Sequence, residues 1–144
     1  MLKTIFDKNI VSLFIKVIQK KGNKELNEKM LKNVFSYIKK VNKKNPLFVF
    51  LNALERSKPF CEIKSLKISG SNYKIPVEIK SERQKTLVLK WVFLNSLKRS
   101  DFLFKTNLSK EIIDTFNVIS KTIKTCDEFH KMAESNKVFI QFRN

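Results

Sequence analysis

A chain of 144 residues with 42% hydrophobic content is long enough for one domain with one core, and too apolar to be a disordered basic tail. Thirty Lys and Arg against 13 Asp and Glu leave a formal charge of +17, which selects polyanionic partners: nucleic-acid phosphates or an anionic membrane surface. Two glycines and a single histidine exclude a phosphate-cradling glycine-rich loop and leave little for metal binding or acid–base chemistry.

Residues 1–8 read as a short N-terminal tail. From Asn9 to Lys20, Ile10, Leu13, Phe14, Val17 and Ile18 recur at helical spacing, with Lys8, Lys16 and Lys20 on the other side. Gly22 is expected to stop this helix. A second helix is expected from about Glu25 to Val41, with Leu26, Met30, Val34, Ile38 and Val41 as its apolar stripe. Asn42-Lys43-Lys44-Asn45 reads as a loop, and Pro46 suits the first position of a third helix. That helix turns Leu47, Phe50, Leu51 and Leu54 inward and ends before Pro59.

A β-hairpin arm follows over residues 60–80. Its strands are expected near Phe60–Ile68 and Tyr73–Lys80, joined by the polar turn Ser69-Gly70-Ser71-Asn72. Pro76 has no N–H for a ladder, so its strand must be an edge or bulge there. An isolated hairpin is marginal in water, so its base must pack on the helices or be ordered by a ligand. Ser81-Glu82-Arg83-Gln84 fits a capping box opening a fourth helix, with Leu87, Trp91 and Leu94 inward and Val88 and Leu97 beside them. A fifth helix, about Leu108–Thr122, is expected to bury Ile112, Ile113, Phe116 and Ile119. Thr125-Cys126-Asp127-Glu128 fits a second capping box, opening a sixth helix that ends near Val138. Residues 139–144 form a short aromatic tail. The expected fold is therefore mainly α: a single domain over residues 1–144, with about six helices and one protruding hairpin between the third and fourth.

Catalytic constellations are missing. His130 lies within a helix beside Lys131 and reads as structural or RNA-facing. The carboxylates are scattered, and those beside lysines, such as Glu25, Glu28, Glu78 and Glu111, read as ordinary surface ion pairs. Cys61 and Cys126 belong to no C-x-x-C pattern and read as two free thiols of a reducing compartment. No apolar run approaches the roughly 20 residues of a membrane span. The segment Met1–Asp7 lacks the core of a secretory signal, and no removed import presequence is expected. No enzyme activity, cofactor, metal, membrane or small-molecule substrate is expected. The excess of Lys over Arg, with abundant Asn, Ile and Phe, favours A/T-rich codons and points to an organelle or a reduced bacterium.

The lysines recur along the whole chain, so the folded body itself is the expected polyanion-binding object. Lys64, Lys67, Lys74 and Lys80 dress the hairpin, and Tyr73 near its turn can stack on a base or pack on the neighbouring strand.

Three blocks carry a family resemblance. The first is Asn9–Val34, an apolar helix, the turn Gly22-Asn23-Lys24 and a second helix. The second runs from Asn45 to Arg99 and includes Tyr73, Pro76, Val77, Glu78, Arg83, Leu87 and Trp91. The third runs from His130 to Phe139, followed by Phe142-Arg143. Together they resemble small-subunit ribosomal protein seven of the bacterial type. Several features depart from the family pattern: the turn is Ser69-Gly70 rather than Gly-Gly, Asn23 replaces a basic residue, the basic N-terminal tail is almost absent, and Arg143-Asn144 replaces a final Arg-aromatic.

The resemblance implies a structural constituent of the small ribosomal subunit that binds the 3′ major domain of small-subunit rRNA and nucleates head assembly. It implies a hairpin near the exit tRNA site and the mRNA exit path, with neighbouring head proteins, tRNA and mRNA as partners. The residues that fit its RNA surface are Lys8, Lys16, Lys20, Lys21 and Lys24 at the first helix and turn. Lys64, Lys67, Lys74 and Lys80 on the ribbon and Arg83 and Lys90 on the fourth helix also fit, as do Lys131, Lys137 and Arg143. Divergence with A/T bias implies an organelle-encoded mitochondrial copy, the alternatives being a plastid or an A/T-rich bacterium. A free-standing nucleic-acid-binding regulator, such as a helix-turn-helix DNA binder, is the rival reading. Neither helix flanking Gly22 presents the polar base-reading face it needs. A membrane-surface protein is a second rival, permitted by the basic amphipathic first helix.

Overall fold

The computed structural model describes the backbone of residues 2–19 and 21–142, and side chains over 8–19 and 21–141. Among these residues there are six α-helices, one two-stranded antiparallel hairpin and a terminal 3₁₀ turn. In chain order they are α1 (Leu2–Ile18), α2 (Lys24–Asn42), α3 (Pro46–Arg56), β1 (Cys61–Ile68), β2 (Ser71–Glu78), α4 (Ser81–Leu97), α5 (Phe104–Phe116), α6 (Lys121–Ser135) and the 3₁₀ turn Lys137–Phe142. The expected mainly α fold, with its hairpin between the third and fourth helices, is the fold observed.

Local chemistry accounts for several boundaries. Lys21 and Gly22 both take left-handed φ, +54° and +76°, which turns the chain between α1 and α2. A side chain at Gly22 would meet nothing, so the backbone angle and not space makes glycine suitable there. Pro46 occupies the first turn of α3, and the Asn45 side chain accepts a 3.0 Å hydrogen bond from the Leu47 N–H. The helix α1 starts at Leu2 rather than Asn9, so residues 2–8 continue the helix and are no tail.

The two expected capping boxes do not form. Lys80 is the N-cap of α4 and makes no side-chain cap; the Gln84 side chain donates instead to the Pro59 carbonyl. The helix α6 begins four residues before Thr125, where the Ser120 hydroxyl accepts from the Ile123 N–H at 3.2 Å. Residues 117–120, expected inside the fifth helix, are its exit. The Val118 N–H bonds to the Thr115 carbonyl and the Ile119 N–H to the Asp114 carbonyl, a Schellman closure that throws Ile119 outward. Leu26, Val41, Leu94 and Leu97 are likewise exposed, because each lies at the margin of a stripe whose centre fills the space against the neighbouring helix.

The core is built around α5, which packs on α2, α3 and α4. Phe14, Phe50, Val34, Ile38, Leu89, Leu108 and Ile112 are its fully buried centre, with Phe14 stacked on Phe50 at 5.4 Å. A smaller cluster of Leu87, Trp91 and Cys126, with Phe129 against Trp91 at 4.8 Å, ties α6 to α4.

Glu111 is not a surface ion-pair residue. It is 0% exposed. Its carboxylate accepts from Arg99 Nε at 2.8 Å, from the Thr122 N–H at 3.2 Å and from the Thr122 hydroxyl at 2.7 Å. The neighbouring Thr115 hydroxyl is hydrogen-bonded to the Glu111 carbonyl and to Ser120, the cap of α6. A buried carboxylate is tolerated only with such a full set of donors. Glu111→Ala is expected to lower stability by about 3–5 kcal/mol in urea unfolding, since it leaves Arg99 short of its buried partner. Val118 is a β-branched residue held at φ +63°. Val118→Gly is expected to raise stability by about 1 kcal/mol in the same assay, by releasing left-handed strain at an exposed position.

Candidate nucleic-acid interface

The hairpin turn contains two residues, not four. Ile68 pairs with Ser71, and Ser69 and Gly70 between them have φ of +50° and +85°. Positive φ at both central positions is the type I′ requirement, whose twist matches that of the strands. Pro76 faces Ile63 in this edge-only ribbon and breaks no second ladder.

The register decides where the lysines point. Residues paired across strands share a face, and faces alternate along each strand. Lys67 with Asn72 and Lys74 with Ser65 therefore share one face near the tip, while Lys64, paired with Ile75, lies on the other. All three are exposed. Lys80 belongs to neither strand, being the N-cap of α4. Tyr73 lies on the Lys64 face and packs on Phe139 of the terminal 3₁₀ turn at 5.2 Å, so its ring is used inside the protein.

The root of the ribbon is clamped from two helices. From α6, His130 Nε2 accepts the Phe60 N–H at 3.1 Å while its ring stacks on the Phe60 ring at 5.3 Å. Accepting through Nε2 places the neutral imidazole proton on Nδ1, which faces Cys126 Sγ at 4.0 Å. From α4, Arg83 Nη2 donates to Glu62 Oε1 at 2.8 Å. That bond holds the Glu62 carboxyl below its ordinary range, against the opposing effect of burial. Burial pushes the Cys126 thiol up to about 11, aided by Asp127 and Cys61, and raises Cys61 as well. Both thiols are free, and neither is a thiolate at neutral pH. No group of three or more potential metal ligands occurs among the described residues. Among the same residues no helix is long and apolar enough to cross a membrane.

The residues expected to bind polyanion fall into three groups. Lys8 and Lys16 on α1, Lys21 in the turn, Lys90 on α4, Lys131 on α6 and Lys137 at the start of the 3₁₀ turn are exposed. None of these, and no ribbon lysine, enters a salt bridge among the described residues. Lys24 makes a loose 3.8 Å pair with Glu28, and Arg83 is committed to Glu62. Lys20 and Arg143 lie outside the described residues. Phe60, 79% exposed on its His130 support, and Glu62, the partner of Arg83, carried no local sequence signal because their partners are distant in the chain.

The profile of one protein family, described as "Ribosomal protein S7p/S5e", matches residues 1–137. The small ribosomal subunit protein uS7m of Reclinomonas americana is 36% identical over 139 residues, covering 96% of this chain and 87% of that one. The small ribosomal subunit protein uS7 of Metamycoplasma arthritidis is 37% identical over 139 residues, covering 96% and 89%. The uS7 of Thermodesulfovibrio yellowstonii is 34% identical over 138 residues, covering 96% and 88%.

Arg83→Ala is expected to speed amide exchange in the base of the ribbon, at Glu62 and Val77, and to leave exchange in α5 unchanged. The pair is solvent-accessible and worth no more than about 1 kcal/mol. Because the Glu62 pKa is depressed in the fold, its contribution is present above the unfolded carboxylate pKa and disappears as pH falls through the folded one. Wild type and variant should therefore exchange alike in strong acid and diverge towards neutral pH.

Proposed function

The chain belongs to the ribosomal protein S7p/S5e family, and from that membership we propose how it works as a structural constituent of the small ribosomal subunit, with rRNA and other ribosomal proteins as its partners. Its role is architectural and not enzymatic. The observation that carries the mechanism is the set of exposed lysines, outside any salt bridge among the described residues, on a helical body and on a ribbon clamped at its root. Each lysine that meets a phosphate releases condensed counterions, which supplies affinity without sequence information. Specificity comes from shape: the ribbon and the lysine-bearing helices form a surface of set geometry for a folded multi-helix RNA.

The RNA surface assigned to this chain comprises Lys8, Lys16, Lys20, Lys21 and Lys24; Lys64, Lys67, Lys74 and Lys80; Arg83 and Lys90; and Lys131, Lys137 and Arg143. Arg83 acts there as a clamp that orients the ribbon, with its outer edge left for phosphate. The rRNA region is the 3′ major domain, whose folding into the subunit head this protein nucleates. The ribbon tip, carrying Lys67 and Lys74, reaches towards the exit tRNA and the mRNA exit path. The mitochondrial relative and the A/T-biased composition support a mitochondrial ribosome. Bacterial relatives match at similar identity, so cell fractionation decides between the two compartments.

Lys64→Ala, Lys67→Ala and Lys74→Ala, combined, are expected to weaken binding to a 3′ major domain fragment. They should also flatten the log–log salt dependence by about 0.7–0.9 for each phosphate that is no longer neutralised. Unchanged slopes would place the RNA surface elsewhere. In a native extract the protein should sediment with the small subunit and leave that fraction after ribonuclease treatment; migration as a free protein in both samples would overturn the ribosomal reading.

A further inference from the structure

Between α2 and α5 lies a crease of about 250 Å³, remote in sequence from the ribbon. Lys40 of α2 and Lys105 of α5 line it, together with Ser36, Tyr37, Asn33 and Thr106. Every lining residue carries a hydroxyl, an amide or an ammonium alongside apolar surface that includes Tyr37, and none carries a carboxylate. Lys40 and Lys105 are both exposed, and neither is in a salt bridge among the described residues.

The adjoining end of α5 adds to this positive field. Lys105 and Thr106 belong to its first turn, whose N-cap Leu103 has no side-chain oxygen and makes no cap. The positive end of the helix therefore lacks a side-chain cap. Ser109, also lining the crease, donates its hydroxyl to the Lys105 carbonyl at 2.6 Å, which steadies that turn. The nearest acid on the loop before α5, Asp101, is already held by Lys110 at 2.7 Å.

We propose that the α2–α5 crease seats a phosphate of the RNA backbone, through Lys40 and Lys105 with the hydroxyls of Ser36 and Thr106 as donors. This rests on the RNA-binding reading above and extends it to the α2–α5 face, whose crease residues are none of those assigned there. A phosphodiester is the fitting ligand because the lining offers hydroxyl and amide donors and two ammonium groups, with no carboxylate to repel it.

The test is titration of a 3′ major domain rRNA fragment at several salt concentrations with wild type, K40A/K105A, K40R/K105R and the ribbon variant K67A/K74A. Thermal melts serve as folding controls. K40A/K105A is expected to bind about tenfold more weakly near physiological salt and to lower the salt slope by about 1 to 2. K40R/K105R should retain both, and the effects of the crease and ribbon variants should add. An unchanged slope in K40A/K105A, with a reduced one in K67A/K74A, overturns the crease and leaves the RNA-binding reading standing. Equal weakening in the alanine and arginine variants also overturns it, by tracing the effect to packing. Inorganic phosphate that binds wild type but not K40A/K105A, with RNA affinity unchanged, assigns the crease to a free anion and overturns the RNA contact. No RNA binding by wild type overturns both readings.

Discussion

One buried carboxylate sets the geometry on which the rest depends. Glu111 sits at 0% exposure on α5, and its oxygens are satisfied by Arg99, in the turn just after α4, and by Thr122 at the start of α6. Desolvating an ion is costly enough that these donors cannot be absent, so three helices have one relative placement. The helix α6, placed this way, brings Phe129 against Trp91 and His130 against Phe60. The stance of the ribbon is thus fixed through α6 by a group about 50 residues further along the chain than the ribbon's first strand.

The arginines of the described residues all make internal contacts. Arg56 donates to the Phe116 carbonyl and lies over the Phe116 ring, Arg83 holds Glu62, and Arg99 holds Glu111 and Asp114. The planar, multi-donor guanidinium suits such fixed internal contacts. Of the lysines proposed to meet RNA, Lys24 alone enters a salt bridge among the described residues. For the others, meeting a phosphate breaks no salt bridge among the described residues, and their charge is available to the partner. Self-repulsion of that charge is opposed by a core of close-packed Phe, Leu, Ile and Val around α5.

Much of this was legible locally. Helical spacing with Gly22 and Pro46 as punctuation located α1, α2 and α3, and Ser69-Gly70 between apolar alternations located the hairpin. Errors gathered where local signals had equally good local rivals. Thr125-Cys126-Asp127-Glu128 has the pattern of a capping box, yet Ser120 caps α6, because only there does the hydroxyl also meet Thr115 beside the buried Glu111. Glu111 beside Lys110 looked like a surface pair; Lys110 reaches Asp101 instead and Glu111 turns inward.

By itself the sequence determined the fold class, the hairpin's position and the polyanionic character of the partner, since periodicity, turn residues and net charge are properties of neighbouring residues or of simple sums. Tertiary structure alone decided which carboxylate is buried, that Tyr73 packs on Phe139, that Lys64 parts from Lys67 and Lys74, and that Arg83 is a clamp. Each of those depends on pairing between residues far apart in the chain. Such pairings are settled by the packing of whole helices and by strand register, and no local pattern encodes either.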